Sequence, residues 1–304
     1  MADAIRSARD RHLEAGGEQI AGFLRELERA HSAEIDRFVE ACRSDLVLRE
    51  PLEPMLAAVR DYLFWLQWVA WNAANLAPLL GDDMSAPARR LAPALVAYSG
   101  LRLVDDGLDR HETYKGFRPT LLGWLVARRP PLAVDPAAYS AFVGLCVFAF
   151  ALRRLGETSR PAAAREVARL FEGVAAGALA EPLIGLPCEA RTYEQIVRRK
   201  SAAYNLILYK PLVEELEPWL RRALLSILSE MDTLAQLVND AGDAGEDRDR
   251  RQPNAAVQKL YPRGLAAEVE ARLERLWEAA SRLPDAPRDA LAAMFANLNT
   301  ERVR

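Results

Sequence analysis

Residues 95–120 read LVAYSGLRLVDDGLDRHETYKGFRPT. The first half of this stretch is apolar at helical spacing, through Leu95, Tyr98, Leu101 and Leu108. That spacing predicts a helix from about residue 89 to Asp109, with Pro93 near its start. Its end is acidic: Asp105 and Asp109 lie four apart and share a face one turn from each other, with Asp106 beside them. A helix C-terminus is where the macrodipole disfavours negative charge, so three acids there call for compensation. Two readings stand side by side at this point. One is a solvated acidic helix end running into a turn; the other is a carboxylate clamp for a hard cation such as Mg²⁺.

Outside this stretch the chain reads as helices and little else. Alanine, leucine, arginine and glutamate, all good helix formers, dominate the 304 residues. Apolar residues recur three and four apart in most windows, as in Ile20, Phe23, Leu24 and Leu27, and alternating strand-like runs are absent. Breaks at 81–87, 127–136, 181–190, 240–247 and 283–289, all rich in proline or glycine, imply roughly ten helices of ordinary length. The expected fold class is all-α. With 51% hydrophobic residues and no low-complexity linker, the chain is read as one domain over residues 1–304.

Charge and cysteine usage narrow the function classes. A formal net charge of −3, with basic residues scattered among acids, gives no electrostatic reason to expect nucleic acid. Cys42, Cys146 and Cys188 are an odd set without CxxC spacing, and no apolar h-region opens the sequence, so a reducing cytoplasm is the expected location. The most apolar run, around 61–80, contains Gln67, Asn72 and Asn75 with aromatics all round. A core helix is expected there, and no stable membrane insertion.

A second acidic run, QLVNDAGDAGED at 236–247, follows the apolar helical run LLSILSEMDTLA. Asn239, Asp243 and Asp247 fall at i, i+4 and i+8, with Asp240 beside the first. All are oxygen donors suited to Mg²⁺, stacked on one face if the helix persists through Gly242 and Gly245. A surface loop rich in Gly, Asp and Arg accounts for this segment equally well.

The two acidic runs, with VRRKSAAYN at 197–205 between them, resemble the motifs of the trans-isoprenyl diphosphate synthase and class I terpene synthase superfamily. The resemblance spans about residues 88–260 and implies an α-helical barrel with a central active-site cavity, a prenyl diphosphate substrate, three Mg²⁺ ions and a homodimer. It implies that Asp105 and Asp109 bind metal, with Asp106 among the acids of that motif and more suited to orienting a ligand. Asn239, Asp240, Asp243 and Asp247 would hold the remaining metal, and Lys200, Lys115 and Arg118 would contact the diphosphate. The chemistry suits these residue types, because ionising an allylic diphosphate develops negative charge that metal ions and fixed cations stabilise. Lysine is rare in this arginine-rich chain, occurring only at Lys115, Lys200, Lys210 and Lys259.

Departures from the elongating branch shape the functional expectation. Those enzymes resemble one another in an upstream Gly-Lys-x-x-Arg-Pro stretch, and this sequence has no lysine before Lys115. Arg90 lies on the helix of the first motif, roughly 22 Å from Asp105 at the helical rise, too far to serve. Tyr114-Lys115-Gly116 stands where Arg-Arg-Gly is usual, and Asn239-Asp240-x-x-Asp243 resembles the second motif of cyclases. The leading expectation is therefore a Mg²⁺-dependent terpene synthase acting on one allylic diphosphate. The alternatives are a chain-elongating prenyltransferase with an atypical isopentenyl diphosphate site, and a non-catalytic helical subunit. The aromatics Tyr62, Phe64, Trp65, Trp68 and Trp71 are read mainly as core residues, with a cavity lining as the second possibility.

Overall fold

A computed structural model describes residues 1–45, 49–114, 116, 118–130, 132–158, 161–181, 188–250, 254–298 and 300. The helices are α1 (Ala2–Asp45), α2 (Arg49–Trp65), α3 (Trp71–Ala74), α4 (Ser85–Leu108), α5 (Leu121–Arg128) and α6 (Pro136–Thr158). They continue as α7 (Pro161–Ala180), α8 (Ala190–Val197), α9 (Ala203–Leu212), α10 (Pro218–Arg250), α11 (Leu265–Ala280) and α12 (Asp285–Ala296). Among the described residues the extended pairing is limited to β1 (Thr113–Tyr114) against β2 (Arg118–Pro119), antiparallel and two residues long. The chain is all-α.

The helices gather into two compact units, each assembled from separated stretches of chain. One comprises Phe23–Trp71 and Ser85–Ala164 and contains the first acidic motif. The other comprises Met1–Gly22, Asn72–Met84 and Arg165–Arg304 and contains the lysine stretch and the second acidic run.

In the first-motif unit, α4 is buried nearly all round, as a helix without a polar face must be. It lies backbone to backbone against α6 through three glycines. A Cβ on Gly100 would stand 2.8 Å from the Gly144 carbonyl oxygen, one on Gly107 2.6 Å from that of Ala137, and one on Gly144 2.5 Å from that of Gly100. Ser140, buried on α6, donates its hydroxyl to the Leu103 carbonyl across the same interface. Past α4 the chain turns sharply at Arg110 (φ 55°) and folds back as β1 and β2. Thr120 then caps α5, accepting from the Gly123 amide at 3.1 Å. α6 is by length and composition apolar enough to cross a membrane, and it exposes Phe142 and Leu145 at 61% and 46%.

In the second-motif unit, α10 runs unbroken through Gly242 and Gly245, where the composition suggested a break. Each helical glycine costs about 1 kcal/mol relative to alanine, and Asn254 offsets part of that cost. Its buried amide donates to the Asp240 carbonyl at 2.9 Å and to Asp247 Oδ2 at 2.7 Å, strapping the last turns of the helix. The single core helix expected over 61–80, of which 61–71 belong to the first-motif unit and 72–80 to the second, is instead broken. α2 ends at Trp65, a 3₁₀ turn spans Leu66–Ala70, and α3 gives way to a second 3₁₀ turn at Ala77–Leu79. Asn75 bonds the Asn72 carbonyl through its side chain, a local bond that competes with helix, and Pro78 follows.

Replacing Gly144 by valine is expected to force α4 and α6 apart and to cost about 3 kcal/mol or more. Gly17, in α1 with nothing within 4 Å of its Cβ position, is the opposite case: Gly17→Ala is expected to stabilise by about 0.5–1 kcal/mol. Urea denaturation of both variants checks the contrast.

Candidate active site

The first motif closes α4. Asp109 lies one residue beyond the helix, and its amide still bonds the Asp105 carbonyl at 2.9 Å, so the four-residue spacing of the two carboxylates is kept. Asp105 is partly exposed and Arg102 Nη1 stands 2.9 Å from its Oδ2. Asp106 is fully buried, and its carboxylate is met by Arg102 Nη2 at 2.7 Å and by the Tyr62 hydroxyl of α2 at 2.5 Å. Burial pushes the Asp106 carboxyl above the usual range, opposed by Arg102 and the Tyr62 bond. Tyr62 is pushed up as well, by burial and by the adjacent carboxylate. Asp106, expected among the metal-binding acids, thus has its oxygens turned inward to protein donors.

Aromatic rings back this motif. Trp65 stands edge-on to Tyr114 at 5.1 Å and Tyr62 stacks near Trp65 at 6.0 Å. Arg102 lies over Tyr114 at 5.2 Å and Arg118 over Trp65 at 5.1 Å. Arg118 also bonds Asp61 at 2.5 Å. Tyr62 is thus a core residue, as expected, whereas Trp71 is 62% exposed. Lys115 lies outside the described residues.

The second motif repeats the plan of the first. Asp240 is buried and accepts from the Tyr193 hydroxyl of α8 at 2.5 Å, Gln236 Nε2 at 2.9 Å and the Ala255 amide at 2.7 Å. Burial pushes its carboxyl up to about 6 against those three donors. In both runs the acid at the second position of the five-residue motif is buried and holds a tyrosine from another helix. Asp240, expected among the donors of the second metal site, is thus likewise turned inward to protein donors. Asn239 and Asp247 remain half-buried and Asp243 is exposed, so oxygen donors persist at i, i+4 and i+8. A polar seam continues down α10: Ser201 donates to Gln236 at 3.1 Å, and Asn205 bonds the buried Asp232, whose carboxyl burial drives well up.

Lys200 sits in a π-helical turn, Arg198–Ala202, that joins α8 to α9. Such a bulge inserts an extra residue into the helical register and re-aims side chains. Its ammonium bonds Glu181 Oε2 at 2.7 Å. The turn is packed tightly on α7, since a Cβ on Gly177 would lie 3.0 Å from the Lys200 amide nitrogen.

Among the described residues no three His, Cys, Asp or Glu side chains form a cage. Mg²⁺ sites that share a phosphate ligand need only one or two carboxylates, with water and phosphate completing an octahedron of oxygens. The donor chemistry of Asp105 with Asp109, and of Asn239, Asp243 and Asp247, fits that pattern.

Solved structures match this architecture over almost the whole chain. A decaprenyl diphosphate synthase from Rhodobacter capsulatus aligns with a TM-score of 0.69 at 17% identity, covering 97% of this chain and 99% of that one. The chain has the trans-isoprenyl diphosphate synthase fold. A polyprenyl synthase from Caulobacter crescentus CB15, complexed with calcium and isoprenyl diphosphate, shares this synthase fold with a TM-score of 0.68 at 17% identity over 94% and 96% of the two chains. A geranyltransferase from Helicobacter pylori, complexed with magnesium and isoprenyl diphosphate, aligns at 0.63 and 12% identity over 88% and 96%. No protein-family model matches the chain, and no curated protein matches it in sequence.

Sequence reasoning singled out neither Tyr193 nor Arg102, and it marked Tyr62 as a core residue without its bond to Asp106. Arg102 carried a legible signal, lying three and four residues before Asp105 and Asp106 on a helix; the tyrosines carried none. Tyr193→Phe is expected to cost about 1.5–3 kcal/mol, the range for a bond to a charged group. Because Asp240 titrates near 6 folded and 3.8 unfolded, its charged form weakens the fold. That contribution to stability is therefore present below the unfolded value and is lost as pH rises through about 6. Urea melts of metal-stripped protein across this window should show Tyr193→Phe losing more at neutral than at acid pH. An equal loss at both would refute the coupling.

Proposed function

We propose that this chain is a Mg²⁺-dependent isoprenyl diphosphate synthase that elongates an allylic prenyl diphosphate with isopentenyl diphosphate. The observation that carries the reading is the synthase fold over nearly the full length, with an acidic motif ending one helix and another on the last turns of α10. The structures named above are prenyl diphosphate synthases or a geranyltransferase, which favours elongation over the cyclase expected from the motifs alone.

In the proposed reaction the allylic C–O bond breaks and diphosphate leaves. The isopentenyl double bond attacks the cation, and a neighbouring proton passes to the departed diphosphate to restore an alkene. Mg²⁺, when bound, acts as a Lewis acid on the diphosphate oxygens. Asp105 and Asp109 would hold metal at the first motif, and Asn239, Asp243 and Asp247 at the second. Asp106 and Asp240, fixed by Tyr62 and Tyr193, keep those ligands in register. Lys200 exchanges Glu181 for the diphosphate, Arg118 exchanges Asp61, and Lys115 adds a third cation. Exchanges of this kind are inexpensive, because part-exposed ion pairs contribute about 0–1 kcal/mol.

A cyclase remains the second reading, favoured by Asn239 and by the lack of any lysine before Lys115. Purified protein incubated with Mg²⁺ and geranyl, farnesyl or geranylgeranyl diphosphate, with and without isopentenyl diphosphate, separates the two. A longer diphosphate formed only with isopentenyl diphosphate is the expected product. Hydrocarbon or alcohol formed without it would replace elongation by cyclisation. Asp105→Ala should lower either activity by about 10² or more, the scale for removing transition-state charge stabilisation.

The proposal includes a cytosolic homodimer. The exposed stripe of Phe142, Leu145 and Cys146 on α6 is apolar enough to need cover, and a second copy supplies it. Phe142→Glu is expected to convert the dimer to a monomer in sedimentation velocity while leaving the far-ultraviolet circular dichroism intact. An unchanged sedimentation coefficient would place the interface elsewhere.

A further inference from the structure

The proposed chemistry leaves Arg102 unused. Its guanidinium bridges Asp105 and Asp106 at 2.9 and 2.7 Å, lies 5.2 Å from the centre of the Tyr114 ring, and is only 23% exposed. A Mg²⁺ ion on Asp105 takes its oxygen at about 2.0–2.1 Å. Nη1 stands against Oδ2 of that same carboxylate. A metal on the same carboxylate would meet the guanidinium charge at close range, and two cations this near repel.

We infer that Arg102 is a tethered stand-in cation that compensates the first motif until metal arrives and competes with Mg²⁺ for Asp105. The inference rests on the proposed metal role of Asp105 and Asp109. Nη2 remains on buried Asp106 and the ring of Tyr114 supports the guanidinium plane, so Arg102 pivots and does not leave. Nη1, once displaced, becomes a donor for an incoming anion, which couples metal binding to diphosphate binding. Arg102 is a positioning residue in this scheme: it sets the threshold at which the motif takes metal.

The test is binding of Mn²⁺ alone, read by electron paramagnetic resonance of the free ion. Arg102→Met by itself leaves buried Asp106 without its cation and threatens the fold. The comparison therefore uses Asp106→Asn as background, with and without Arg102→Met. The double variant is expected to bind Mn²⁺ at least about tenfold more tightly than Asp106→Asn. Adding Asp109→Ala should abolish that gain, assigning it to the first motif. Equal or weaker binding in the double variant, with Asp109-dependent binding present in both, would overturn the role of Arg102 and leave the metal site standing. Absence of any Asp109-dependent binding in all backgrounds would overturn the metal reading, and the inference with it.

Discussion

A carboxylate taken out of water must be met by donors, and that constraint organises both acidic motifs. Asp106 and Asp240 are buried, so each requires a hydroxyl from another helix: Tyr62 brings α2 to the end of α4, and Tyr193 brings α8 to α10. Once these pairs form, the helix ends cannot rotate without stranding a charge. Their partners in the motifs, Asp105 and Asp109 or Asp243 and Asp247, are thereby left nearer solvent. The inward acid gives the outward acids their geometry.

Charge compensation in this protein is internal before it is chemical. Repulsion among Asp105, Asp106 and Asp109 suggests a metal when only the sequence is in view, yet a guanidinium from one turn back already bridges Asp105 and Asp106. The same holds for Lys200 with Glu181 and Arg118 with Asp61. These described candidate cations begin from an ion pair. On the proposed reading, an anion bound by these groups would exchange with their present partners, and part-exposed pairs make such exchange inexpensive.

Close packing sets where the first motif lies. Gly100, Gly107 and Gly144 let α4 and α6 approach until their backbones touch, a contact that no side chain larger than hydrogen permits. α4 is buried on nearly every side, so packing and not amphipathicity orients it, and its acidic end is delivered by that interface.

The all-α class, the helical spacing of Asp105 with Asp109, and the run from Asn239 to Asp247 were all legible in the sequence, because local periodicity and spacing encode them. Glycine at 242 and 245 misled, since its helix cost is local while Asn254, which offsets it, comes from a following turn. The inward placement of Asp106 and Asp240, the π turn under Lys200 and the tyrosine partners were decided only by tertiary structure. Each depends on donors or backbone supplied by segments 44 and 47 residues away for the tyrosines, and no local pattern records such a meeting. Sequence determined which oxygen donors and cations this chain has; long-range packing decided which of them are buried as supports and which are left near solvent.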